Sequence, residues 1–111
     1  MTMTTTEKKR GVITGMGAIT PIGNNLEAYW QGLLAGKSGI GPITLFDASK
    51  HKCRIAGEVK GFDPLEHMDA KESKRTDRFA QLAIAASKQA LVDASLTITD
   101  LNAEQVGVMI G

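Results

Sequence analysis

Short apolar segments alternate along the chain with glycine, proline and polar turns. The first segment, Gly11–Thr14, is flanked by glycine and predicts a short buried strand. Residues 1–10 before it are polar and charged, and we expect them to form a disordered leader. The chain therefore begins its folded part at about position 11.

Leucine and aromatic side chains then recur at helical spacing over Leu26–Leu34, which predicts an amphipathic helix. Asn24 or Asn25 can cap its N terminus, and Gly36 supplies a left-handed stop. The following stretch, Lys37–Ser49, is rich in glycine and turn formers and predicts a loop.

A second strand is predicted at Arg54–Val59, followed by a brief helical turn. The turn is indicated by Asp63, Pro64 and Glu66, a cap residue with proline at the first helical position and a glutamate that can reach back. These signals are local, because each depends on residues only a few positions apart.

The longest helix is predicted to begin between Ala70 and Asp77 and to end near Ala94. Its central part is apolar on almost every face and half alanine, which indicates burial on several sides. Val106–Ile110 is a continuous apolar run, typical of a parallel strand covered on both faces. Three short strands and two main helices cannot cover such surfaces, so we expect the chain to be an N-terminal piece of a larger protein.

Charge and cysteine content exclude several classes of protein. The 111 residues include 13 basic and 12 acidic side chains, and a formal net charge of +1 provides no field for nucleic acid. A single cysteine excludes an internal disulfide. No apolar run approaches the roughly 18 residues of a membrane span, and the leader lacks the apolar region of a secretory signal. We expect a cytoplasmic protein that binds neither nucleic acid nor membranes.

Two glycine motifs resemble nucleotide-binding loops but lack their spacing. After Gly15 and Gly17, the third glycine of a dinucleotide fingerprint is replaced by Thr20, and Pro21 follows. Proline there would prevent a helix N terminus from facing a phosphate. The sequence Gly36-Lys37-Ser38 likewise closes a helix instead of opening one. We interpret the first motif as a turn and the second as a helix stop.

The chain contains no convincing catalytic or metal-binding cluster. Cys53 has His51 nearby, but it leads into a predicted strand, whereas reactive thiolates usually lie at a helix N terminus or beside a fixed cation. Together with His67, these residues match no metal-ligand spacing. We therefore predict no catalytic residue, no metal ligand and no cofactor.

The densest basic cluster lies at or just before the long helix. It contains Lys71, Lys74, Arg75 and Arg78, which helical spacing places on neighbouring positions of one side. Such a cluster is most often a solvated face, but it can also bind an acidic partner. Spacing alone leaves both interpretations open.

Several blocks in order resemble the β-ketoacyl-acyl-carrier-protein synthases, the condensing enzymes of fatty acid synthesis. The blocks are Val12–Gly23, Leu33–Ile43, Ile55–Lys60, Asp77–Gln81 and Val106–Gly111. The resemblance implies an α/β, thiolase-like fold, layered α/β/α/β/α in the whole enzyme. Residues 11–111 would form only the first part of its N-terminal half, and the whole enzyme would be a homodimer.

The resemblance also implies an acyltransferase. An acyl group moves to a cysteine thiolate, malonyl-carrier protein loses carbon dioxide, and the carbanion attacks the acyl thioester. The family's catalytic cysteine and two histidines match no position here, so the segment alone is expected to be inactive. Lys71, Lys74 and Arg75 do match the basic positions with which these enzymes bind acyl carrier protein.

One departure from the family is Ser95, where glycine commonly follows the helix. A left-handed serine costs about 1 kcal/mol relative to glycine, so we expect this helix end to differ in shape.

Two alternatives to a fatty acid synthase remain. The chain could belong to a polyketide ketosynthase, which would differ in acyl-pocket and dimer-interface residues beyond Gly111. It could also be a stand-alone α/β module that binds an acidic protein through the basic cluster. That module would have to fold cooperatively on its own.

Overall fold

The computed structural model describes residues 7–111, so most of the predicted leader, positions 1–6, lies outside the described part. Residues 7–10 are exposed and form no regular secondary structure. The elements in chain order are α1 (Leu26–Leu34), β1 (Ile40–Pro42), β2 (Ile55–Gly57), a 3-10 turn (Pro64–Glu66), α2 (Ala70–Arg75), α3 (Arg78–Asp93) and a second 3-10 turn (Ala103–Gln105).

Helix α1 begins and ends as its sequence predicts. The side-chain oxygen of Asn25 accepts a hydrogen bond of 2.8 Å from the backbone N–H of Ala28. At the other end, Gly36 has a φ of +65°, and the N–H of Lys37 donates to the carbonyl of Gly32 at 2.9 Å. These are the bonds of a left-handed helix stop, and the predicted helix is confirmed.

Strands β1 and β2 form a two-stranded antiparallel sheet in which Ile40 pairs with Gly57 and Pro42 with Ile55. The predicted second strand is confirmed over shorter bounds. The prediction of a loop across Lys37–Ser49 is wrong at β1. Three residues containing a glycine and a proline show no strand periodicity, so only their pairing with β2 defines the strand.

The predicted long helix is two helices separated by a break. Asp69 caps α2, with its carboxylate accepting from the N–H of Glu72 at 2.8 Å. Thr76 is then extended, with φ −115° and ψ 128°, and Asp77 precedes α3. The range predicted for the start of one helix, Ala70 to Asp77, therefore contains the whole of α2 and the break before α3.

The segment containing Gly15 and Gly17 lies against α3, and the predicted turn lies just after it at Thr20–Gly23, where the N–H of Gly23 donates to the carbonyl of Thr20 at 3.2 Å. The N–H of Met16 donates to Asp93 at 2.9 Å. A Cβ atom added at Gly15 would lie 2.5 Å from the carbonyl oxygen of Ala90, and one at Gly17 would overlap the carbonyl of Ala86. These glycines are required for close backbone contact.

The two terminal strands predicted from apolar runs are absent from residues 7–111. Gly11–Thr14 and Val106–Ile110 have no strand pairing, and apart from the half-buried Val106 their residues are exposed, with Met109 at 98%. A strand requires a neighbouring strand with which its backbone groups form hydrogen bonds, and no described segment pairs with either run. Both predictions are wrong for this structure. An apolar run indicates a segment that tends to be buried, but it does not provide the neighbouring strand.

Little of the apolar surface in the described residues is buried. The buried apolar side chains are those of Ala48, Met68 and Ala85. On α3, Phe79 is 74% and Val92 80% exposed, so the expected burial of this helix on several sides is not met. Patches of this kind are rare on isolated monomers, which disfavours a self-contained module.

The end of α3 has the shape that glycine would give it. Ser95 has a φ of 52°, and the N–H of Leu96 donates to the carbonyl of Leu91 at 3.0 Å. The same arrangement ends α1 at Gly36. The expectation that serine changes this helix end is therefore wrong, and the protein retains a strained residue that costs about 1 kcal/mol.

We predict that Gly17→Ala lowers stability by about 2 kcal/mol or more, because its Cβ would overlap the α3 backbone. Gly41→Ala is the matched control, since a Cβ there meets nothing within 4 Å. Thermal unfolding of the larger protein that carries this segment, followed by circular dichroism, measures both variants. Equal losses in the two variants would contradict the close approach.

A pH dependence is expected at Glu58. Its carboxylate accepts from the N–H groups of Thr44 at 2.8 Å and Leu45 at 3.0 Å, which hold the pKa of Glu58 below its ordinary value. The stability it contributes is present at neutral pH and is lost as pH falls through that lowered pKa. In the larger protein that carries this segment, Glu58→Gln should therefore flatten the acid side of the melting temperature profile between pH 7 and 3. Parallel profiles would contradict this.

Candidate functional site

The basic residues predicted as a binding site lie together on α2. Lys71, Lys74 and Arg75 are all exposed, and their spacing of three and four residues places them on one side of the helix. We call these three residues the basic face. Lys74 and Arg75 are in the last turn, where positive charge is favoured by the helix dipole.

Among the residues that the structure describes, the side-chain hydrogen bonds that hold α2 come from residues outside the basic face. Asp69 caps its start, and Thr76 donates from its hydroxyl to the carbonyl of Glu72 at 2.6 Å. Gln81, on α3, donates to the carbonyl of Ser73 at 3.0 Å. The side chains of the basic face make no such hydrogen bond in the described residues and are exposed to solvent.

The structure separates Arg78 from the basic face, although the sequence groups the four residues. Arg78 begins α3, beyond the break. Its guanidinium donates to the carbonyl of Val59 at 3.1 Å and lies 5.9 Å from the centre of the Phe62 ring. The Phe62 ring in turn stacks on His67, with centroids 5.4 Å apart. Arg78 therefore connects α3 to the segment after β2.

Cys53, His51 and His67 do not come together as a site. The exposed Cys53 thiol lies 3.4 Å from the carbonyl of Ile55, and His51 packs edge-on against Phe46 with ring centroids 5.6 Å apart. Within the described part of the chain, no group of three or more potential ligands is placed to hold a metal ion. Similarly, no helix described here is long and apolar enough to cross a membrane.

The folded segment matches the family description "Beta-ketoacyl synthase, N-terminal domain" over residues 8–111. The chain belongs to this family. The proposal of a β-ketoacyl synthase segment from the sequence blocks is confirmed, and its helices and small sheet are part of an α/β domain.

Two similar relatives carry the same name within this family. The chain is 60% identical over 109 residues to a 3-oxoacyl-[acyl-carrier-protein] synthase 2 of Synechocystis sp., covering 98% of this chain and 26% of that protein. It is 50% identical over 105 residues to the synthase 2 of Coxiella burnetii, covering 95% of this chain and 25% of that protein. The chain therefore spans about a quarter of the length of these relatives.

A solved structure supports the fold assignment. The ishigamide ketosynthase/chain length factor matches with a TM-score of 0.67 and 40% sequence identity. The match covers 78% of this chain and 21% of that one. The fold is thus that of part of a ketosynthase, which the resemblance implied.

Sequence patterns did not reveal the role of Gln81, which holds the end of α2 from the next helix. Its side chain is half-buried and also donates to the carbonyl of Thr76 at 3.1 Å. The sequence does offer two aspartates, Asp69 and Asp77, that can each precede a helix start, and a helix broken between them leaves carbonyl groups that need donors.

We expect Arg78→Met to lower stability by about 1 kcal/mol, because it removes the bond to Val59 and the contact with Phe62. Arg75→Met, at an exposed position of the basic face, should leave stability nearly unchanged. Thermal unfolding of the two variants, each in a full-length protein that carries this segment, provides the comparison at one pH and salt concentration. A larger loss in Arg75→Met would contradict the separation of Arg78 from the basic face.

Proposed function

We propose that this chain is the N-terminal segment of a 3-oxoacyl-[acyl-carrier-protein] synthase, of the synthase 2 type. The whole protein elongates acyl chains in fatty acid biosynthesis by decarboxylative condensation with malonyl-carrier protein. The observation that carries the proposal is 60% identity, over almost the whole segment, to a relative of that name. The catalytic cysteine and histidines then lie outside these residues, and the segment alone is inactive.

The segment's contribution in this proposal is structural and electrostatic. It supplies the first part of one α/β half of a thiolase-like, five-layered enzyme that acts as a cytoplasmic homodimer. The exposed apolar side chains of α3, Phe79 and Val92, are then covered in the layers of the complete fold. Burying each such side chain contributes about 1.5 to 3 kcal/mol, which an isolated segment does not gain.

The basic face is proposed to bind acyl carrier protein, an acidic partner that presents the substrate thioester. Lys71, Lys74 and Arg75 are exposed and occupy one side of a short, capped helix. Charges of one sign on one side of a helix raise the local concentration of an oppositely charged protein and orient it on approach. The partner docks here while its thioester reaches a site formed by other parts of the enzyme.

A polyketide ketosynthase is the second candidate, because a solved ketosynthase/chain length factor shares this part of the fold at 40% identity. The higher identity to synthase 2 proteins favours fatty acid synthesis. A stand-alone module that binds an acidic protein is disfavoured by the exposed apolar side chains. Cooperative unfolding of the isolated 111-residue chain would revive that candidate.

The test uses a full-length synthase carrying this segment, for example the Synechocystis protein with its aligned 109 residues replaced. Lys71→Glu combined with Lys74→Glu should raise KM for carrier-bound substrate about tenfold, because attraction becomes repulsion. The KM for small acyl thioesters and kcat should be unchanged. The effect on carrier-bound substrate should shrink as salt is added.

Lys50→Glu combined with Lys52→Glu provides the matched control, since both lysines are exposed and the change in net charge is identical. This control should leave both KM values unchanged. An unaltered KM for carrier-bound substrate in the Lys71/Lys74 variant would contradict docking at the basic face. Absence of condensing activity in the unsubstituted protein would contradict the proposed reaction itself.

A further inference from the structure

The orientation of α2 depends on a side chain from outside that helix. A helix of six residues gains little stability from its own hydrogen bonds, and its last carbonyl groups have no partner within the helix. Its last turn is closed by Thr76, which bonds back to Glu72 and then leaves the helical conformation. The carbonyl groups of Ser73 and Thr76 therefore need donors from elsewhere.

Gln81 supplies both of those donors. Its amide nitrogen lies 3.0 Å from the carbonyl oxygen of Ser73 and 3.1 Å from that of Thr76. Gln81 is in the first turn of α3, so one half-buried amide ties the end of α2 and the break to the next helix. The angle between the two helices is held at this point.

We infer that Gln81 is a positioning residue for carrier-protein docking, because it fixes the direction in which α2 presents its basic face. This inference rests on the proposed function of that face. Gln81 is only partly exposed and lies on α3, whereas Lys71, Lys74 and Arg75 are exposed on α2. It therefore acts on the partner through the helix and not by direct contact.

The rigidity of α2 matters because docking uses several charges at once. Lys71 and Arg75 are four residues apart, so a rotation of α2 moves both relative to the enzyme body. Charges on an ordered helix are already oriented for the partner, whereas a loosened helix must be ordered on binding. Loss of the Gln81 bonds should then weaken docking without removing any charge.

The experiment replaces Gln81 by methionine, which keeps the length and flexibility of the side chain and removes the donor. In the full-length synthase carrying this segment, Gln81→Met should raise KM for carrier-bound substrate about fivefold, the factor of one ordinary net hydrogen bond. The kcat and the KM for small acyl thioesters should stay unchanged. Gln31→Met, at an exposed position of α1, is the matched control and should change neither KM.

A double-mutant cycle separates this inference from the proposed function. When Lys71→Glu and Lys74→Glu are already present, Gln81→Met should raise KM for carrier-bound substrate little further. A face whose charges have been reversed no longer attracts the carrier protein, so its orientation gives no benefit. If the charge reversals raise KM and Gln81→Met alone does not, the positioning role is overturned while docking at α2 stands. If Gln81→Met lowers activity equally on carrier-bound and small thioesters, its role is general stability and the inference is also overturned.

A second variant covers the case in which Gln81→Met does not fold. Gln81→Glu keeps the size and polarity of the side chain but places a carboxylate opposite the carbonyls of Ser73 and Thr76. It should raise KM for carrier-bound substrate more than methionine does, with kcat unchanged. A KM equal to that of the parent protein would overturn the positioning role.

Discussion

Close contact between a glycine segment and α3 organises the ordered part of this chain. Gly15 and Gly17 bring the backbone against Ala86, Ala90 and Ala94, where any Cβ on the glycines would overlap the helix. Side chains of α3 complete the contact, since Gln89 accepts from the N–H of Ala18 at 3.0 Å and donates to the carbonyl of Asn24 at 2.7 Å. The start of α1 is thus tied to α3.

The break between α2 and α3 gives the segment its candidate site. Had the helix been continuous from Ala70, Arg78 would have joined the basic face and the amide of Gln81 would have had no free carbonyls to bind. Instead Arg78 bonds to Val59 and packs on Phe62, which fixes the start of α3. The break therefore separates Arg78, whose charge connects α3 to the rest of the fold, from the exposed charges of the basic face.

Predictions from sequence succeeded where one local interaction decides the structure. The two ends of α1 were predicted at Asn25 and Gly36 because capping and left-handed stops depend on neighbouring residues. The predictions failed at β1 and at the two terminal apolar runs, since a strand is defined by a partner that its own residues do not specify. The site was partly predictable, because helical spacing grouped the basic residues. The amide of Gln81 was not, because it bonds to α2 across the break between two helices.

The sequence by itself determined the caps of α1 and the cluster of positive charge, which follow from residue type and spacing, and its resemblance to known condensing enzymes indicated the family. Tertiary structure decided that the glycines serve close packing, that Arg78 leaves the cluster and that Gln81 holds α2. The physical reason is distance along the chain. Contacts between residues far apart in sequence depend on how whole elements pack, and no local pattern records that packing.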